Sequence, residues 1–283
     1  PYTTLFRSTF NDDTYYLINI NKSSLSNGQM NSIKQDVGKE LVLSVLQLYS
    51  GSILKIYKDI DYYWVAHAIY YWSEEIFTDP ASFTAPRRFV HNEMMPFIGL
   101  CAGARHNYYT VQRHGRGMSA VIKYLSDSSS YGTKGPAKTF EMIRSGTPPP
   151  SALIYTTDRM LAEWWPGFFH DYVAGDVYNV DGSFFLGDEM ISRTWTIDDE
   201  QDTEHIFSSS DLGGYDDLSA KQFLVNLNYS EFDNADNLLI DAESTGANDD
   251  GVAVIVFGVK NDDLHFLGES INGDAAVELE DLK

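Results

Sequence analysis

Six residues within one stretch of the chain are of types that move protons and hold anions: His91, Glu93, Arg105, His106, Arg113 and His114. Histidine is the side chain whose charge changes near neutral pH, and arginine grips phosphate or carboxylate through a fixed fork of N–H donors. As a site they would suit a hydrolase or transferase acting on a phosphorylated or sugar substrate. Their spacing, however, supplies neither a Ser/His/Asp nucleophile arrangement nor a His-Glu-x-x-His metal helix. Polar residues in a segment rich in Gly, Tyr and Met also serve as loop contacts or as a seam between subunits. No catalytic residue and no metal ligand is therefore assigned.

Two glycine patterns approach nucleotide chemistry. Gly132-Thr133-Lys134-Gly135-Pro136-Ala137-Lys138-Thr139 resembles a phosphate loop, in which backbone N–H groups wrap phosphate and the lysine neutralises it. Ala137 stands where the second glycine is required, and the preceding 126–131 is too polar for a buried strand. Gly132, Lys138 and Thr139 are the cofactor candidates of this pattern, and a turn capping a helix is its plain alternative. Gly115-Arg116-Gly117-Met118-Ser119-Ala120 has the G-x-G-x-x-A form. Residues 108–112 before it have strand character and 117–125 after it read as a helix, the context in which Gly115 and Gly117 would face a pyrophosphate. The acidic residue expected about 20 positions on is missing, so a tight turn is the alternative here. No cofactor is expected.

Acidic groups offer two more chemistries. Asp198-Asp199-Glu200, Asp216-Asp217, Asn248-Asp249-Asp250 and Asn261-Asp262-Asp263 carry the oxygen ligands calcium prefers, but no loop matches the spacing of a calcium hand, and acidic hairpin turns explain them. His170-Asp171 and Asp188-Glu189 could serve glycoside hydrolysis beside Trp164, Trp165 and Trp195. Aromatic residues at this density otherwise belong to cores and interfaces.

The elements that would position these residues follow from periodicity. Ile33, Val37, Leu41, Val45 and Leu48 keep a three-to-four spacing and predict a helix capped at Asn31 or Ser32 and ended by Gly51. A second helix is expected over 53–72, with aromatics on several faces and hence a central position. Further helices are expected over 117–125 and 136–144, the latter with Pro136 in its first turn. Residues 147–150, with three consecutive prolines, read as a stiff linker. A short helix over 158–165 should stop at Pro166. Beyond it, short β-rich runs at 184–186, 194–197, 222–229, 238–240, 252–259 and 264–267 alternate with Asp, Asn, Gly and Ser clusters. The near-continuous apolar run 252–257 fits a strand buried on both faces. The expected class is α+β: a mainly helical region over 1–146 and an acidic β-rich region over 151–283.

Charge divides along the same line. Of 20 Lys+Arg and 41 Asp+Glu, residues 1–160 hold 16 and 13, a net of +3, and residues 161–283 hold 4 and 28, a net of −24. A basic stretch over 87–144 carries nine Lys+Arg against three acids. It suits the acidic half of this or a neighbouring chain, or a weak nucleic-acid contact. At 283 residues and 43 % hydrophobic the chain can bury a real core. Its single cysteine, Cys101, excludes a disulfide framework within the chain. No apolar window is long enough for a membrane span, and no leader pattern opens the sequence, so no membrane partner is expected. These features point to a soluble structural subunit that meets itself or a related subunit, most concretely a viral or virus-like capsid shell protein. The hydrolase or transferase above is the alternative, and a nucleotide-binding protein a third.

Overall fold

The computed structural model describes residues 4–10, 13–19, 30–49, 60–77, 108–128, 130–178, 191–197, 220–227, 237–240, 252–261, 263–271 and 275–278. Within them the chain is a mixed α+β protein that divides into two compact units, Pro1–Asp158 and Arg159–Lys283.

The first unit opens with an antiparallel ribbon of β1 (Thr4–Phe10) and β2 (Asp13–Asn19), paired from Thr4↔Asn19 to Phe10↔Asp13. Five helices follow: α1 (Met30–Tyr49), α2 (Ile60–Phe77), α3 (Tyr108–Asp127), α4 (Gly135–Arg144) and α5 (Pro149–Thr157). The middle one is α2. Trp64, Val65, Ala66, His67, Ala68 and Ile69 are six consecutive buried residues, so every face of this stretch is covered. A helix apolar all round must lie inside, and α1, α3, α4 and α5 all pack against α2. From α3 come Met118, Val121, Ile122 and Leu125, buried at helical spacing. Each large apolar side chain enclosed in this way contributes about 1.5–3 kcal/mol of transfer free energy.

Several sequence expectations change here. The second helix runs on to Phe77 instead of stopping at Trp72, and residues 53–59 of its expected span lie outside the described residues. The expected strand at 108–112 and helix at 117–125 are one continuous helix, because burial of a face shared by His114, Met118 and Val121 overrides local β-propensity. Along α1 the covered stripe is Ile33, Glu40 and Ser44, while Leu41 and Val45 are 51 % and 43 % exposed. The apolar spacing read from the sequence is therefore rotated off the true seam after Val37. Instead of extending as a stiff linker, Pro149 and Pro150 open α5, in first-turn positions where no intrahelical N–H is required. Asp158 ends that helix in the left-handed region at φ 55°.

The second unit begins with α6 (Leu161–Ala174), which continues through Pro166 and ends at Gly175, φ 88°, whose N–H reaches the carbonyls of Asp171 and Tyr172. Trp164, Trp165, Phe168, Phe169 and Tyr172 form its buried stripe, with ring centroids 5.3–5.6 Å apart. That stripe spans both sides of Pro166, and its burial outweighs the missing hydrogen bond. After a 3-10 turn at Asp176–Tyr178 the strands are β3 (Ile191–Ile197), β4 (Gln222–Leu227), β5 (Asn237–Ile240), β6 (Ala253–Lys260), β7 (Asp263–Ile271) and β8 (Ala275–Glu278). They pair as β3–β4, parallel, and β5–β8 and β6–β7, antiparallel. β6 is largely half-exposed, with Gly258 its one buried residue, so the run 252–257 is not a strand covered on both faces. Its apolar residues face α6 and its own hairpin partner. The expected run 184–186 lies outside the described residues.

Candidate functional site

The densest group of ionisable side chains lies where α1, α2 and α3 meet. On α2, His67, Tyr70, Tyr71 and Glu74 stand at i, i+3, i+4 and i+7, one stripe of the helix. Asp36, Lys39 and Glu40 approach from α1, and Arg116 from α3. The Lys39 ammonium pairs with Glu74, and lies 3.5 Å from Asp36 Oδ1. It also sits 5.5 Å and 5.8 Å from the ring centres of Tyr70 and Tyr71. The Tyr70 hydroxyl donates to Glu40 Oε1 at 3.1 Å, and the Arg116 guanidinium lies 4.6 Å from the centre of the Tyr71 ring. Paired charges over aromatic faces are how a helical seam tolerates ions away from water.

Burial governs the protonation of this group. It raises the Glu40 carboxyl above its usual range, against the opposing hydrogen bond from Tyr70 and the charge of Lys39. It holds the His67 imidazole down at about 4, hence neutral at pH 7. Tyr70 is raised by burial and then by Glu40 beside it, so it remains a hydrogen-bond donor at any ordinary pH. Burial also raises Tyr71, and the Arg116 guanidinium works against that rise. Sequence reasoning passed over Lys39, Glu40, His67, Tyr70, Tyr71 and Glu74, although the His-x-x-Tyr-Tyr-x-x-Glu spacing was there to be read.

What makes the seam tight is Gly115. A Cβ placed there would lie 2.5 Å from His67 Cβ and 2.5 Å from the Trp64 carbonyl oxygen. Gly115 thus serves close approach of α3 to α2, not a turn. Gly115 and Gly117 both lie inside α3, away from any helix N-terminus, so the dinucleotide reading of this pattern fails.

The phosphate-loop pattern fails as well. Gly132, at φ 57°, turns the chain, and its N–H donates to the Ser128 carbonyl at 2.9 Å. Before it comes α3, not a strand. The fully buried Thr139 hydroxyl is 2.9 Å from the Tyr131 hydroxyl and 2.8 Å from Thr156 Oγ1, so it is committed to the join of α4 and α5. Lys138 points into solvent from α4.

Of the acid–base stretch, His91, Glu93, Arg105 and His106 lie outside the described residues, as does the side chain of Arg113. His114 is fully enclosed in α3, with its ring edge-on to Trp64 at 5.8 Å. Within the basic stretch, Lys123 pairs with Glu75 at 3.0 Å and Asp127 at 2.9 Å, whereas Lys134, Lys138 and Arg144 are exposed. In the second unit His170 Nδ1 is 2.9 Å from Asp171 Oδ1, and its ring stacks on Phe257 at 5.7 Å and meets Phe266 edge-on at 4.6 Å. Trp164 and Trp165 are core residues there, and Trp195 stacks on Phe223 at 4.9 Å. Asp188 and Glu189 lie outside the described residues. Asn261, at φ 55°, makes the turn between β6 and β7. Among the described residues no three His, Cys, Asp or Glu side chains gather as metal ligands, and no helix is long and apolar enough to cross a membrane.

Comparison with protein-family models, with curated proteins and with solved structures finds no match to this chain.

Proposed function

We propose that the protein is a self-associating structural subunit, most concretely a capsid or virus-like shell protein, in which the near-neutral helical unit of one copy meets the acidic, β-rich unit of the next. The observation that carries this reading is that charge divides where the fold divides. Residues 1–158 hold 15 Lys+Arg and 13 Asp+Glu, a net of +2, and residues 159–283 hold 5 and 28, a net of −23, together −21. A near-neutral unit that exposes Lys134, Lys138 and Arg144 and a strongly acidic unit on one chain favour head-to-tail contacts between copies, which propagate into rings, shells or filaments. Exposed apolar side chains on α1 (Met30, Leu41, Val45) and on the strands (Leu239, Val259, Phe266) supply surface that association would cover. Lys134, Lys138 and Arg144 leave room for weak contact with a nucleic acid, which the acidic unit would repel.

Light scattering of the purified chain over a range of concentrations and salts tests this, together with electron micrographs of the same samples. The expected result is a mass well above 31.9 kDa at low salt that falls as salt screens the contacts. A mass of one chain under every condition would overturn the proposal.

A further inference from the structure

We propose that the α1–α2–α3 seam is an acid-release element, in which proton uptake by the enclosed imidazole of His67 loosens the helical unit in mildly acidic solution.

The geometry leaves a charged imidazole badly placed. His67 is 4 % exposed in the centre of α2, with the rings of Tyr70 and Tyr71 centred 6.0 Å and 6.2 Å away. Gly115 brings α3 against its Cβ, so water cannot enter without the two helices separating. The Tyr70 and Tyr71 rings of α2 lie against the imidazole. The other ionisable groups of the same seam are Glu74 on α2, the enclosed His114 and Arg116 on α3, and Asp36, Lys39 and Glu40 on α1, and burial, not any of these charges, is what lowers the imidazole pKa. On α4 and α5 the described charged groups and Tyr155 face outward. Two cations, Lys39 and Arg116, and three carboxyl groups, Asp36, Glu40 and Glu74, already share the seam, so what opposes a charged imidazole there is its enclosure and not a surplus of positive charge.

The sign of the pH effect follows from burial. The folded-state value of His67 is about 4, below its ordinary 6.5, so the open chain binds the proton more readily. Stability from this group is complete above about pH 6.5 and is lost as pH falls towards 4. Glu40 acts in the opposite sense. Its raised carboxyl takes a proton more readily when folded, so acid favours the closed seam through Glu40. Under the proposal the imidazole, the more deeply enclosed of the two, sets the sign of the net effect. General charge effects also run the other way, because the chain carries −21 and acidification relieves that repulsion.

Hydrogen exchange of the full-length chain, read by mass spectrometry on peptides from α2 and α3 between pH 7.5 and 5.0, tests the proposal after correction for intrinsic exchange. Protection is expected to fall by up to about thirty-fold across that range, the ratio of proton binding for values of 6.5 and about 4. His67→Gln should flatten the dependence, and Glu40→Gln should keep it or steepen it. Should His67→Gln fail to fold at pH 7.5, the wild-type slope and Glu40→Gln still decide. Protection in the wild type that stays level or rises towards pH 5 would overturn the proposal, as would loss of the slope in Glu40→Gln.

Discussion

Gly115→Ala is the substitution that most directly probes the seam. Two effects compete. Alanine is the better helix former, by about 1 kcal/mol in a helix interior. Against it, the new methyl would lie 2.5 Å from the Trp64 carbonyl oxygen and 2.5 Å from His67 Cβ, where ordinary contacts are 3.4–4 Å. About 1 Å must be found, and the Trp64 oxygen belongs to the hydrogen-bonded backbone of α2, so no rotamer change can supply it. α3 must lift from α2, loosening Met118, Val121 and Ile122, which are 0 %, 0 % and 1 % exposed. Overpacking of this kind costs about 1–3 kcal/mol when the core adjusts, and more when backbone must move. The expected net loss is about 1–2 kcal/mol after the helix-propensity gain, or a melting temperature lower by roughly 3–8 °C for a unit of this size. Urea unfolding followed by far-UV circular dichroism measures it, with an unchanged slope marking a stability effect. Gly38→Ala is the internal comparison. Its methyl would strike Phe77 at Cγ and at Cβ, 2.7 Å away, and because Cβ is fixed to the backbone of α2 no rotamer change clears it, so a loss of the same order is expected where α1 meets α2. A Gly115→Ala protein as stable as the parent would refute the reasoning that α3 approaches α2 through this residue.

Two further outcomes follow from the packing. Thr139→Val removes the hydroxyl joining Tyr131 to Thr156 and strands the buried Tyr131 hydroxyl, whereas Thr156 keeps its bond to the Ala152 carbonyl, so thermal melting should show a loss of about 1–3 kcal/mol, while nucleotide with magnesium leaves the parent's melting temperature unchanged. Pro166→Ala should restore a helical hydrogen bond to the Ala162 carbonyl and raise the unfolding free energy of the second unit, measured by urea titration, by about 1 kcal/mol or more, provided the Trp165–Phe169 ring contact at 5.6 Å is kept.

Part of this fold was legible in the residues alone, and the reasons are local. Pro136 fits a first turn at no cost in hydrogen bonds, and a helix begins at Gly135. Asn261-Asp262-Asp263 between two apolar runs is turn chemistry, and a hairpin closes there. The α+β class and the division of charge need only composition along the chain. The site was less legible. The notable histidines by type and neighbours were His91, His106 and His114, yet the structure also encloses His67, which interrupts an apolar run and lies against the rings of Tyr70 and Tyr71. Only packing reveals which residue is denied water, because burial depends on neighbours distant in the chain.

The same distinction separates the two halves of what is known about this protein. Sequence alone determined the charge polarity, the turn at Asn261 and the existence of α1, α4 and the strand-rich second unit, since each depends on residues within a few positions of one another. Tertiary structure decided the face that α1 buries, the passage of α6 through Pro166 and the conversion of 115–120 from a glycine turn into helix interior. In each of those, burial of large side chains on one shared face, roughly 1.5–3 kcal/mol apiece, exceeds the local preference of a glycine, a proline or a β-former.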